Sequence, residues 1–284
     1  MKSKIFIFLG VFLIFLVFLS LALTIIQKDV AVKEKIGLVR VEGPIIQSKA
    51  IVEEIKEYTK DKQIKAIVVR VDSPGGGVVP SQEIYSEIKR AASMKNVVIS
   101  MGSLAASGGY YISAPATKII ANPGTITGSI GVIMEIPNLQ GLMDKIGVKT
   151  EVIKSGKYKD MTSAFRAMGK EQKEILQGVL DNVHEQFINA VSEGRKIPVE
   201  KVKALADGSV FTGSQALSKG LVDQLGTLED AIKEAGRLAG IQGEPEVVTK
   251  KARHFLIEIL ESRLLGSTNI VYPTYKLDYM MFLP

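Results

Sequence analysis

Ser107 is a candidate nucleophile because it lies at the expected junction of a strand and a helix. It is surrounded by very small residues, Ala105, Ala106, Gly108 and Gly109. The apolar run 97–99 predicts a buried strand, and 110–114 can continue as a short helix that ends before Pro115. Helix starts present unpaired N–H groups, and small neighbours let another backbone approach closely. The same features describe a serine that caps a helix in a packed turn, and this segment alone favours that simpler interpretation.

Three consecutive glycines, Gly75 to Gly77, lie between a second predicted strand and its following helix. They lack the spacing and the following Lys-Ser/Thr of a phosphate-binding loop. A turn without function is one interpretation, and an oxyanion hole is another, since glycine N–H groups can point at developing negative charge. Because the carboxyl ends of parallel strands share one edge of a sheet, Gly76 and Gly108 could both face a carbonyl oxygen at Ser107.

A nucleophilic serine needs a base, and histidine is poorly placed for that role in this chain. His184 lies midway along a predicted long helix, and His254 lies in an irregular tail. A lysine, with an ordinary pKa of about 10.4, would serve only if its surroundings lowered that pKa to about 7. Spacing does not choose among the candidates, which are Lys118, Lys145, Lys149, Lys154, Lys157 and Lys159.

The composition is that of a globular protein with an additional apolar segment. The chain has 284 residues, of which 23% are charged and 46% hydrophobic, and it contains no cysteine. No cluster of His, Cys and Asp has metal-ligand spacing, so we expect neither a metal nor a cofactor. The net charge of +6 is spread among lysines that often accompany glutamates. This pattern indicates solvated surfaces and no nucleic-acid partner.

The apolar segment, residues 5–26, contains no charged residue and is long enough to span a bilayer. Lys2 and Lys4 precede it, which places residues 1–4 in the cytoplasm and the main body on the extracytoplasmic side of the cell membrane. A cleaved signal peptide is the alternative, with a small-x-small site at 20–22. Residues 27–35 are polar and are interpreted as a linker.

The region after the linker alternates between strands and helices, which predicts an α/β protein with a parallel sheet. Strands are expected at 36–43, 64–71, 97–100, 118–121, 130–134 and 149–153. Between these strands, helices are expected at 48–58, 81–92 and 139–146.

The second half predicts an α-rich region that packs on the sheet. Its expected helices are 170–193, 199–206, 213–219, 228–238 and 255–265. The apolar end, 272–284, is expected to dock on a partner or on the body of the protein.

Several motifs occur together and in order. They are S-P-G-G-G-V at 73–78, M-G-S-L-A-A-S-G-G-Y-Y at 101–111, T-G-S-I-G-V at 127–132, K-S-G-K-Y-K-D at 154–160, A-D-G-S-V-F-T-G at 206–213 and A-L-S-K-G-L-V-D at 216–223. In this combination the chain resembles the short form of the bacterial signal peptide peptidase A family. The resemblance implies a protease domain at 36–242, and it leaves 243–284 as an extension of unknown role.

The resemblance also implies a Clp-protease/crotonase-like α/β fold of repeated ββα/βαβ units, behind an N-terminal transmembrane helix. It implies a Ser-Lys dyad in which Ser107 is the nucleophile and Lys159 the general base. Ser129 would orient that lysine, and Gly76 and Gly108 would supply the oxyanion donors.

The function implied by the resemblance is cleavage of remnant signal peptides and other hydrophobic peptides through an acyl-enzyme. Family members of this form assemble into homo-oligomers, in which a neighbouring subunit can supply the dyad lysine. Three alternatives stay open. They are a stomatin-partnered membrane protease of the same fold, a crotonase-like acyl-thioester enzyme, and an inactive scaffold.

Overall fold

The computed structural model describes residues 12–18, 20, 34–250 and 278–280. Its strands are β1 (Lys35–Glu42), β2 (Ile64–Ser73), β3 (Gly75–Gly77), β4 (Asn96–Ala106), β5 (Lys118–Ala121), β6 (Ile126–Gly128), β7 (Val210–Thr212), β8 (Gln224–Leu225), β9 (Glu246–Val248) and β10 (Asp278–Met280). Its helices are α1 (Lys49–Lys60), α2 (Val78–Ala92), α3 (Gly108–Ser113), α4 (Gln140–Lys145), α5 (Lys170–Arg195), α6 (Val199–Lys203), α7 (Gly213–Ser218) and α8 (Leu228–Ala239).

The central sheet has eight strands and is mostly parallel, as the strand–helix alternation predicts. Its main path runs β7-β6-β4-β2-β1-β9, while β5 pairs with both β4 and β8. Among the strand pairs that the structure describes in this sheet, only β6–β7 is antiparallel. The long strand β4 serves two neighbours, because 98–101 pairs with β5 and 104–106 pairs with β6. The fold is therefore mixed α/β with a predominantly parallel sheet.

The middle strands are continuously apolar because helices cover both of their faces. On β2, Ile67 and Val69 belong to the core beneath α1, α2, α3 and α5. Ala66 and Val68 point the other way and belong to a smaller core beneath α8. The helices predicted in both halves are confirmed where the structure describes them, with ends that shift by a few residues.

Two predicted strands are absent. Residues 130–134 and 149–153 form no strand of the sheet, although α4 lies between them as expected. The position next to β6 at the edge of the sheet is taken by β7, which pairs with it antiparallel. Many of their side chains remain exposed, and Ile153 is fully so.

The described residues after 242 include two short strands. Strand β9 extends the sheet beside β1, and β10 pairs antiparallel with β3 in a separate two-stranded sheet. The predicted helix at 255–265 and most of the apolar end lie outside the described residues, as does most of the apolar segment 5–26. Among the residues that are described, no helix is both long enough and apolar enough to cross a membrane.

The buried hydroxyl of Tyr110 offers a test of the packing beneath the sheet. Its side chain is fully buried, and its Oη donates a 2.9 Å hydrogen bond to the Leu221 carbonyl oxygen. Tyr110→Phe leaves that buried carbonyl without a partner, so we expect the free energy of unfolding in urea to fall by about 1–3 kcal/mol. Tyr158→Phe, at a less buried tyrosine that bonds Glu171, should change it by less than about 0.5 kcal/mol. Equal effects of the two variants would contradict this account.

Candidate active site

Ser107 lies where β4 ends and α3 begins, as the sequence predicts. Its backbone has φ 53° and ψ −116°, a conformation that residues other than glycine rarely adopt. Two backbone hydrogen bonds of 2.8 Å hold it there, since its N–H donates to Gly128 and its carbonyl accepts from Tyr111. The residue is only 1% exposed. A side chain held in a strained turn by its surroundings is a common feature of functional sites.

The small neighbours of Ser107 are required by close backbone contacts. A Cβ on Gly108 would lie 2.7 Å from Ser81 Oγ and 3.1 Å from the Gly76 nitrogen. A Cβ on Gly109 would lie 2.8 Å from the Ser73 carbonyl oxygen. Glycine at both positions lets the start of α3 rest directly against the glycine strand β3.

Strand β3 lies between Ile45 on one side and β10 on the other. The Gly75 carbonyl accepts from Ile45 N–H at 2.8 Å, and Gly77 N–H donates to the Ile45 carbonyl at 2.9 Å. Because backbone groups alternate in direction along a strand, the N–H and C=O of Gly76 face the opposite side. That side is occupied by β10, in which Tyr279 is the partner of Gly76.

The Tyr279 carbonyl oxygen lies beside the two glycine amides. A Cβ on Gly75 would lie 1.9 Å from that oxygen and 2.5 Å from the Gly108 nitrogen, so the oxygen and the amide border the same small space. The structure thus brings Gly76, Gly108 and Ser107 together, and it places a peptide carbonyl among them.

The side chain of Tyr279 fills an aromatic pocket and is fully buried. Its ring stacks on Tyr111 with centroids 5.0 Å apart, and it lies 4.8 Å from the ring of Phe187. Its hydroxyl donates to the Val183 carbonyl oxygen at 3.2 Å. Burial raises the pKa of Tyr111 to about 12 and raises the pKa of Tyr279 as well, so both phenols are neutral at physiological pH.

Sequence reasoning missed the role of Tyr279. It predicted only that the apolar end, 272–284, docks on a partner or on the body of the protein. The strand pairing depends on backbone groups of β3, which carry no side chain that could mark a partner in the sequence. The useful signal was a tyrosine within a short apolar run, beyond the end of the region that carries the motifs.

Ser129 lies close to Ser107 in space, because it directly follows Gly128, whose carbonyl oxygen accepts the hydrogen bond from the Ser107 N–H. It also has a positive φ, 50°, and its N–H donates to the Ser209 carbonyl oxygen at 2.8 Å. Ser209 immediately precedes β7. The loop after β6 is therefore fixed beside the Ser107 turn.

Lys159 is not brought to Ser107 within the described part of this chain. It lies exposed in the loop 146–169, and its ammonium group has no ion-pair or hydrogen-bond partner among the described residues. The other two lysines of its motif are paired: Lys154 Nζ lies 2.5 Å from Asp160, and Lys157 Nζ lies 2.6 Å from Glu171. The hydrogen bond to Glu171 raises the pKa of Lys157, which disfavours its neutral form.

Asp160 organises the loop around Lys159. Its carboxylate accepts from Arg166 Nε at 2.8 Å and also pairs with Lys154. These two partners, Arg166 first, hold the pKa of the Asp160 carboxyl well below its usual range. Asp160 is therefore ionised at neutral pH. Its two ion pairs connect Lys154, at the start of the motif, with Arg166, beyond its end.

The remaining candidates have no described contact with Ser107. His184 lies half-buried on α5, and its Nε2 has no hydrogen-bond partner among the described residues, while His254 lies outside them. Lys118 pairs with Glu234 at 2.7 Å, and Lys145 and Lys149 are exposed. No group of acidic, histidine or cysteine residues suited to a metal ion occurs within the described ranges.

Comparison with known proteins identifies the family. The family model described as Peptidase family S49 matches residues 89–242. A protein of Synechocystis sp. whose name describes a protease is 48% identical over 211 residues, which are 74% of this chain and 76% of that protein. A protein of Enterococcus faecium named for signal peptide peptidase SppA is 41% identical over 180 residues, covering 63% of this chain and 52% of the relative. Protease 4 of Salmonella typhi is 37% identical over 227 residues, covering 74% of this chain but only 37% of its own length.

Five of the six motifs, with Ser107, Ser129 and Lys159, lie within residues 89–242, which the family model matches. The chain therefore belongs to peptidase family S49, together with the proteins named for signal peptide peptidase A.

Proposed function

We propose that this peptidase is a serine endopeptidase that cleaves remnant signal peptides and other hydrophobic peptides with Ser107 as nucleophile and Lys159 as general base. The observation that carries the proposal is the position of the Tyr279 carbonyl, which lies against Gly76 and Gly108 beside Ser107. A substrate strand that took the place of β10 would present its own carbonyl carbon to Ser107. The aromatic pocket would then receive the side chain of the residue that contributes that carbonyl.

The proposed reaction uses these groups in sequence. Neutral Lys159 accepts the proton of the Ser107 hydroxyl as Oγ attacks the peptide carbonyl carbon. The Gly76 and Gly108 N–H groups donate to the oxyanion, and protonated Lys159 then gives its proton to the leaving amine. An ester of Ser107 results, and Lys159 next takes a proton from the water that hydrolyses it. Ser129 is proposed to orient the Lys159 amine.

The lysine is proposed to come from a neighbouring subunit of a homo-oligomer. Two features of the loop region support this proposal. The Lys159 ammonium has no partner within the described chain, and several large apolar side chains around it are exposed. These are Ile133, Leu139, Leu142, Ile146, Val148, Val152, Ile153 and Phe165. If these side chains packed against another copy of the protein, they would be buried. The same contact would bring Lys159 to that copy.

The membrane location is likewise a proposal, and the uncharged segment 5–26 with its preceding lysines supports it. Residues 5–26 would anchor the protein as a single-pass helix, with the peptidase body on the extracytoplasmic side. We also propose that the sheet belongs to the Clp-protease/crotonase-like class. The acyl-thioester alternative is disfavoured, because Asp72, the carboxylate nearest in sequence to the glycines, accepts a 3.0 Å hydrogen bond from Leu104 N–H.

Replacing Ser107 should separate chemistry from backbone strain. Ser107→Ala should abolish cleavage of a hydrophobic peptide, and Ser107→Gly should abolish it equally. Glycine accepts φ 53° without strain, so Ser107→Gly should also raise the free energy of unfolding by about 1 kcal/mol above that of Ser107→Ala. Turnover that survives either substitution would eliminate Ser107 as the nucleophile.

The three lysines of the motif at 154–160 allow a matched test of which one is the general base. Lys159→Ala should remove turnover, whereas Lys154→Ala and Lys157→Ala should retain at least about a tenth of kcat, because their ammonium groups are held by carboxylates. If the lysine acts across subunits, coexpressed Ser107→Ala and Lys159→Ala chains should regain activity at composite sites. Absence of regained activity in assembled mixed oligomers would place the dyad within one chain.

Weakening β10 should improve access for substrate. Tyr279→Gly removes the ring that fills the aromatic pocket, so we expect KM for a peptide with tyrosine or phenylalanine at the attacked carbonyl to fall severalfold, with kcat little changed. The same peptide with aspartate at that position should be cleaved at least about tenfold less efficiently. A steady-state assay in which Tyr279→Gly raises KM, or in which aspartate is preferred, would contradict the proposed binding mode.

A further inference from the structure

Ser81 has a buried hydroxyl that the proposed reaction does not use. It lies in the second turn of α2 and is fully buried. Its Oγ has no hydrogen-bond partner among the described residues. A buried polar group without a partner destabilises the folded state, and such groups are few in native proteins.

Several other buried hydroxyls among the described residues are satisfied, although that of Tyr58 also has no partner there. Ser113 donates to the Gly109 carbonyl at 2.7 Å, and Thr125 and Thr127 donate to carbonyls of β4 at the same distance. On the same helix as Ser81, the exposed Ser86 donates to the Gln82 carbonyl four residues earlier at 2.7 Å. Ser81 does not make the corresponding bond to Gly77. Helix geometry therefore does not explain its unpaired state.

The hydroxyl lies beside Gly108, and the Gly76 nitrogen borders the same space. A Cβ on Gly108 would lie 2.7 Å from Ser81 Oγ and 3.1 Å from the Gly76 nitrogen. The space between Gly108 and β3 is thus bordered by one O–H dipole and by the backbone that supplies both oxyanion donors. Any residue with a side chain at position 108 would collide with Ser81.

We propose that Ser81 is a positioning residue of the oxyanion site, whose unbonded O–H dipole turns toward the negative charge that develops at Gly76 and Gly108. This role rests on the proposed serine-protease function. A hydroxyl with no bond to break can reorient freely, and a dipole in a buried site interacts more strongly with a nearby charge than it would in water. Ser81 acts on that charge through its dipole and is not assigned a contact with substrate.

Ser81→Ala separates this role from a structural one, because the two roles predict opposite signs. Removal of an unpaired buried hydroxyl should raise Tm by about 2 °C or more. In the same variant kcat should fall about tenfold, less than for loss of a direct oxyanion donor, with little change in KM. Binding of a peptide aldehyde, whose adduct with Ser107 carries the oxyanion, should weaken about tenfold. Binding of the product peptide should not change.

Ser86→Ala is the control, since it removes a bonded hydroxyl from the exposed face of the same helix. It should leave kcat and aldehyde binding unchanged. If Ser81→Ala raises Tm but leaves kcat and aldehyde binding intact, or lowers Tm and kcat together, Ser81 has no positioning role. Cleavage that survives Ser107→Ala would instead overturn the proposed function, and this role of Ser81 with it.

Discussion

The close approach of α3 to the glycine strand β3 is the constraint on which the site depends. Gly108 and Gly109 rest against Gly76 and Ser73 with no room for a Cβ. This contact turns the chain sharply at Ser107, and it brings two backbone N–H groups to one side of that turn. The strain at Ser107 persists because hydrogen bonds from Gly128 and Tyr111 hold the turn on both sides.

The parallel sheet places the glycine strand β3 and Ser107 at the same edge. Strands β2 and β4 run side by side and parallel, and a register shift after Val71 pairs Ser73 with Ala105, so the glycine strand after β2 and the serine after β4 meet where the strands end. Strand β6 joins beside the end of β4 and fixes Ser129 near the same point. The edge of β3 that faces away from Ile45 pairs with the extended strand β10, which is the arrangement of peptide recognition in which main-chain hydrogen bonds supply affinity and pockets supply selectivity.

The sequence was informative where local pattern and sheet geometry act together. Continuous apolar runs predict β2 and β4, and the parallel arrangement predicts that Gly76 lies near Gly108. Prediction was wrong at 130–134 and 149–153, because a short apolar run does not by itself specify a strand partner, and the strand that pairs with β6 at the edge of the sheet is β7. The position of Tyr279 was not predictable either, because its pairing relies on the backbone of β3. The approach of Lys159 to Ser107 stays a prediction, because a loop takes its position from whatever packs against it.

The central claim is that Ser107 is the nucleophile beside an oxyanion site that receives a peptide carbonyl. Its most direct measurement is mass spectrometry of the full-length protein after treatment with a phosphonate ester of a hydrophobic peptide that ends in an aromatic residue. The account predicts one stoichiometric adduct, located on Ser107, that does not form with Ser107→Ala or in the presence of excess substrate peptide. An adduct on another residue, or equal labelling of Ser107→Ala, would contradict it.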